Sequence, residues 1–365
     1  MSTWTSWTKR NEAAAGHAIG IHAMPALARS TQVLGGRAFL LPGLFILAAL
    51  LVACVLWSIT LGAADITPPV VFDALTHYDS SNLDHVIIQT ERLPRVLAGV
   101  VVGAALAVAG AIMQGITRNP LADSGILGIN SGAAFAVVLA VYLIGNPPLS
   151  VYALFGFLGA TVAALAVYLL GSAGRSGATP LRLTLAGVIL TAFVSSITMA
   201  ILIFDQQTLD RIRFWTAGSL AGRNMDLLLQ TTPYILVGLV GAIILSRQIT
   251  TLSLGDDIAR GLGQRTGRIK LMSSGLVVLL AGGAVALAGP IGFVGLVVPH
   301  IVRLIAGVDF RWIIPYSAVL GAVLVTTADV GSRVLIRPQE LPVGVVMAFI
   351  GAPFFIALAR WKVKH

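Results

Sequence analysis

Apolar residues recur along this chain in long unbroken runs, not in the alternating pattern of a half-buried strand or the one-sided stripe of a surface helix. A helix that crosses a bilayer needs about 20 consecutive apolar residues. Runs of that kind fall near residues 38–63, 94–116, 125–145, 151–171, 183–204, 226–246, 270–289, 312–334 and 341–360, with a shorter one at about 291–306. Including the short run keeps the polar connections on consistent sides. The pattern therefore predicts an all-α polytopic membrane protein with ten transmembrane helices.

Polar positions between the runs set the orientation, because Lys and Arg gather on the cytoplasmic side. With the N-terminus inside, only Arg92, Arg95, Arg211, Arg213, Arg223, Arg333 and Arg337 of the 24 basic residues fall outside. Asp65, Asp73, Asp79, Asp84 and Glu91 share one outer loop. Both termini are expected to be cytoplasmic. Residues 1–36 are mixed and Ala-rich, without the apolar core of a cleaved signal, and are expected to form a disordered cytoplasmic tail. Residues 37–365 form one transmembrane domain.

Composition agrees: 57% of residues are hydrophobic and 11% charged, which excludes an ordinary soluble domain. The formal charge of +9 does not point to nucleic acid, because the basic residues are scattered without interleaved aromatics. Lipid is the expected surrounding. Cys54, the sole cysteine, can form neither an internal disulfide nor a cysteine metal cluster.

Chemistry-bearing motifs are few. No G-x-x-x-x-G-K-[ST], H-E-x-x-H or G-x-S-x-G occurs, so no enzyme activity is expected of this chain. His300, after Pro299, suits a structural or gating role better than a metal site. No ionisable group sits at the centre of a span, which weakens a reading as an ion-driven carrier. Asp329 lies towards the outer end of its span and can pair with Arg333 one turn on. Gly99, Gly103, Ala107, Ala111 and Gly115 form a small-residue stripe, suited to packing within one subunit or to a dimer interface. Thr184, Gly187, Thr191, Ser195 and Thr198 share one face of the fifth span, and Gln114 sits low in the second. Such hydroxyls either bond their own helix or line a water-filled path.

The outer arginines Arg92, Arg95 and Arg333 also have two readings. They are either snorkelling anchors or outward-facing forks that meet carboxylates of a docking protein. The insert "LSLGDDIARGLGQRTGRIK" (residues 252–270) interrupts the apolar chain on the inner side. Asp256 and Asp257 suit a helix start, Ile258 and Leu262 share a face, and Gly261 and Gly263 end the helix. Thr266 is expected to cap a second short helix. Two apolar anchors are too few for firm lipid binding, so the stub suits a groove on a cytoplasmic partner.

The stretches "RLPRVLAGVVVGAALAVAGAIMQGITRNPLADSGILGINSGAAFAVVL", "LRLTLAGVIL", "RFWTAGSL", "LSLGDDIARGLG", "ALAGPIGFVGLVVPHIVRLIAG" and "LPVGVVMAFIGAPFFI" resemble the iron-siderophore and cobalamin permeases of bacterial ABC importers, the FecCD type. The resemblance covers about residue 38 to the C-terminus. It implies the type II importer permease fold in the inner membrane, in a complex with a cytoplasmic ATPase dimer that binds ATP and magnesium. It also implies a periplasmic or lipid-anchored substrate-binding protein and a second permease, identical or homologous. No cofactor is expected on this chain.

By the same resemblance, Arg92, Arg95 and Arg333 match arginines that dock the binding protein. Leu254, Gly255, Asp256, Asp257, Ile258, Ala259, Arg260, Leu262 and Gly263 match the coupling helices that seat in the ATPase, within about 252–268. Thr179 and Pro180 fall at the cytoplasmic gate, where the cobalamin permease has a row of hydroxyl residues and this chain has a proline. Arg337 matches nothing assigned. "TRNPLADSGILGIN", "RLTLAGV" and "RFWTAGSL" are closer to the ferric-enterobactin type, so a ferric siderophore is the expected cargo. Haem or cobalamin is the first alternative, and an ion-gradient-driven carrier a more distant one.

Overall fold

The computed structural model describes residues 39–62, 66–173, 179–336 and 338–363. The expected tail at 1–36, Asp65 and Arg337 lie outside these residues. The described chain is helical, with no strand among the described residues. Helix α1 spans Leu40–Thr60, α2 Pro68–Thr76, α3 Leu83–Thr117, α4 Ile129–Ile144, α5 Leu149–Ser172 and α6 Pro180–Phe204. Helix α7 spans Gln206–Thr216, α8 Met225–Ser253, α9 Asp256–Gly261 and α10 Thr266–Ala288. Helices α11 (Val294–Ala306), α12 (Phe310–Val334) and α13 (Val343–Val363) complete the chain. Seven of these (α1, α3, α5, α6, α8, α10 and α12) are long and apolar enough to cross a membrane, and three shorter apolar helices fall at Ile129–Ile144, Val294–Ala306 and Val343–Ala357. Helical closure satisfies each span's backbone from within, as a hydrocarbon surrounding demands.

Helix α3 is the axis. In its most apolar window 83% of residues are buried, against 6% in α1 and α6 at the rim. Lipid supplies no hydrophobic drive between helices, so close backbone approach must replace it. The small-residue stripe provides that approach inside one chain. A Cβ at Gly103 would overlap the carbonyl of Gly321 on α12, and, beside the stripe, one at Gly110 would overlap Gly295 on α11. Gly115 is backed by Ile249 of α8 and Phe310 of α12. The stripe is thus spent on internal packing rather than left for a second subunit.

The residues between the first two spans are not simply a loop. Pro at the start of α2 supplies a preformed φ. Asn82 caps α3 by accepting from Asp84 N at 3.0 Å, and α3 contains a π-helical turn at Ile88–Arg92. A second π turn, Val278–Gly282, lies within α10. Helix α7 was also not among the expected elements. Asp205 caps it through Gln207 N and Thr208 Oγ1, and Thr208, Ile212 and Trp215 form its buried face.

Gly103→Ala should therefore lower stability by about 1–3 kcal/mol or more, because the neighbour is backbone and cannot yield. Gly275→Ala, where nothing lies within 4 Å of the added Cβ, should leave the melting temperature unchanged or slightly raised. Thermal unfolding of the purified variants measures both.

Candidate functional site

Two clusters stand out, one at each end of the bundle. At the end that the charge bias assigns to the outside, α1 finishes with carbonyls that have no helical partner. Arg92 Nη1 donates to Ile59 O at 2.6 Å and Thr60 O at 2.9 Å. Arg333 Nη1 donates to Ser58 O at 3.0 Å and Leu61 O at 2.8 Å, and Nη2 to Ser58 Oγ at 2.5 Å. Two cations at a helix C-terminus also complement its dipole.

Asp329, 2% exposed, is paired with Arg333 Nη2 at 2.9 Å and with Arg95 Nη2 at 2.9 Å. The i,i+4 pair expected from the sequence is present; Arg95 and α3 are the additions. Arg95 uses its remaining fork on Glu340, 2.7 Å from Nη1. Two of the three arginines do not face outward. Arg92 and Arg333 turn inward to satisfy buried carbonyls and a buried carboxylate, and only the Arg95–Glu340 end reaches the surface.

Beside this clasp lies a cavity of about 680 Å³. It is bounded by the start of α5, by α7 with the loop leading to α8, and by residues 340–342. Ser219 N donates to Ala288 O at 2.8 Å and Gly344 N to Gly218 O at 3.0 Å, so α10 and α13 hold the loop in place. Nothing in the sequence reading singled out this cavity, because its walls come from four separated segments.

At the opposite end, α9 is a stub held from beneath. Ala259 is fully buried, Lys270 Nζ meets Asp256 Oδ2 at 2.7 Å, and Gln264 Nε2 donates to Gln248 O at 2.9 Å. Burial alone would raise the Asp256 carboxyl; the Lys270 hydrogen bond and charge, with Arg118 and Arg260, hold it below the usual carboxylate range. That contribution is present above the unfolded carboxyl pKa of about 3.9 and is lost as pH falls through the lower folded value. Gly255 enters at φ 129°, and Gly263 leaves at φ 79°, backbone conformations that a side chain would strain.

The fixed stub presents Leu254, Ile258 and Leu262 outward, exposed by 59%, 53% and 69%. Asp257 and Arg260 flank this ridge, 3.6 Å apart. Thr266 does not cap a second short helix. It is buried as the first residue of α10, which continues directly into the membrane run.

The remaining expected residues separate. Gln114 is buried: its Nε2 donates to Gly295 O at 3.0 Å and its Oε1 accepts from Arg303 Nη1, so it ties α3 to α11. Thr184 and Thr198 bond carbonyls of their own helix at 2.9 and 2.8 Å, and Thr191 meets Ser131 of α4 at 3.2 Å. Ser195 is exposed on α6. Gly187 packs on the carbonyl of Ile126. Thr179 caps α6 through Arg182 N and Pro180 is its first residue, so the proline starts a helix rather than interrupting a row of hydroxyls. His300 packs edge-on to Phe354 with centroids 6.0 Å apart.

The bundle and its two end clusters define an integral membrane protein of the polytopic helical class. The chain belongs to the FecCD transport family, whose model matches residues 50–361. It is 48% identical over 306 residues to the iron(3+)-hydroxamate import system permease protein FhuB of Bacillus subtilis (strain 168), covering 83% of this chain and 79% of that one. With the ferric enterobactin transport system permease protein FepD of Escherichia coli (strain K12) it shares 43% over 328 residues, covering 90% and 97%. A solved chain of a metal-chelate type ABC transporter in an inward-facing conformation superposes with a TM-score of 0.77 at 29% identity, covering 87% of this chain and 99% of that one.

Asp329→Asn should cost about 3–5 kcal/mol, since it strands two buried guanidinium groups. Glu340→Gln, at a part-exposed pair, should cost no more than about 1 kcal/mol. Thermal unfolding of both variants in detergent tests the contrast.

Proposed function

We propose that this chain is the permease subunit of an ABC importer that carries a ferric siderophore across the bacterial inner membrane. A separate cytoplasmic ATPase dimer supplies the energy, and this chain carries no catalytic site or cofactor of its own. The observation that carries the reading is the stub α9, fixed from beneath and bare on its apolar ridge. Such a ridge is what a groove on a partner requires. The family membership and the iron-related names of its relatives support the cargo.

In this reading the chain crosses the membrane ten times with both termini inside. A second permease, identical or homologous, covers α6, whose scant burial and row of hydroxyls suit the wall of a shared path. Thr184, Thr191, Ser195 and Thr198 contribute to that wall, and Thr179 with Pro180 stands at its inner gate. A periplasmic or lipid-anchored binding protein delivers the cargo to the outer end.

ATP-driven uptake of radio-iron siderophore into proteoliposomes containing the full complex tests the proposal. Uptake should require ATP and survive collapse of the proton gradient; the reverse pattern would overturn it. Ile258→Asp with Leu262→Asp should abolish coupled uptake and ATPase assembly while the permease stays folded. Normal uptake in that double variant would reject the coupling role.

Docking at the outer end is read as carboxylate exchange at Arg95, with Glu340 holding the place of the incoming acid. Arg95→Glu should weaken capture of the binding protein by about tenfold or more, whereas Glu340→Gln should tighten it. Surface plasmon resonance on nanodisc-embedded complex reads both directions.

A further inference from the structure

Arg223 is an unusual residue for its position. It is 6% exposed, yet among the described residues no carboxylate lies within ion-pair distance of it. Its one hydrogen bond runs from Nη2 to Ser219 O at 3.1 Å, and its Nε has no partner. Burial pulls the guanidinium down to about 10, which still leaves it charged at neutral pH. A buried cation without an anion is costly; Arg333 is paired with Asp329 and Arg92 is held by two helix-end carbonyls, whereas Arg223 has a single carbonyl.

Arg223 lines the 680 Å³ cavity, and the other charges there are Arg211 and Glu340. Glu340 is already engaged by Arg95, so the cavity is left with a cationic balance. Phe214 supplies an exposed ring to the wall, with Tyr152 and Trp215 buried behind it. The volume falls within the roughly 300–1,000 Å³ typical of small-molecule sites. An acidic side chain of a docking protein would meet a cation at the surface; Arg223 sits at the wall of a cavity and is almost wholly covered.

We propose that this cavity is an outer receiving site for an anionic ferric chelate, with Arg223 and Arg211 as its charge-reading residues and the exposed ring of Phe214 as its aromatic wall. This rests on reading the chain as a ferric-chelate permease and narrows the cargo to chelates with net negative charge. A neutral chelate would leave Arg223 uncompensated and gain only the aromatic contacts.

The test is equilibrium binding of two radio-iron chelates to the full-length permease in nanodiscs: a trianionic tris-catecholate and a neutral tris-hydroxamate. The wild-type chain should bind the trianion at least about tenfold more tightly. Arg223→Gln should erase that preference and Arg223→Lys should retain part of it. Arg211→Gln, at an exposed position that does not threaten folding, should reduce it even if the Arg223 variant fails to fold. Equal affinities, absence of trianion binding, or an unchanged preference in folded Arg223→Gln and Arg211→Gln would overturn the site. If Arg223→Gln instead weakens capture of the iron-free binding protein and leaves both chelates alike, the cavity is a protein socket and the proposal fails. Failure of the import reading looks different: ATP-driven uptake is absent while charge-selective binding persists.

Discussion

The structure depends on how closely α3 can be approached. Helices in lipid gain little from apolar side chains meeting one another, because the solvent is equally apolar. What they gain comes from contact density, and backbone against backbone is the densest contact available. Gly103 on Gly321 and Gly110 on Gly295 bring α12 and α11 to that limit. Once those two helices are seated, Gln114 can reach Gly295 O and Arg95 can reach Asp329. The polar ties at both ends follow from the packing between them.

Those ties solve different problems. At the outer end, α1 has little burial of its own to hold it, and Arg92 and Arg333 fasten its last carbonyls to α3 and α12. At the inner end, Asp256 and Lys270 fasten a stub so short that it would not be stable alone. One cluster closes a helix against the body of the protein. The other holds a helix away from it, with the apolar side turned out.

Much of this was legible in the sequence. Long apolar runs located the seven helices long and apolar enough to cross a membrane and the three shorter apolar ones, because span length is set by bilayer thickness rather than by context. The small-residue stripe marked α3 as a packing helix, and Asp256, Gly255 and Gly263 marked the stub. The i,i+4 spacing of Asp329 and Arg333 disclosed their pair. What could not be read is what comes from far away in the chain. Arg95 meets Asp329 across 234 positions, and Gln114 meets Arg303 across 189. The direction of an arginine fork depends on which carbonyls the fold brings beneath it. Helix α7 could have been found: Asp205 with Thr208 is a capping signal, and Thr208, Ile212 and Trp215 keep helical spacing.

Helix α10 links the two ends in a way the separate clusters do not suggest. It starts at the residues that clasp the stub and ends at Ala288, whose carbonyl holds the loop carrying Arg223. At about 1.5 Å per residue its 23 residues make a rod of about 35 Å. Inner seat and outer cavity are therefore fixtures on one shaft, interrupted only by the π turn at Val278–Gly282. A load applied at one end would reach the other without crossing a loop.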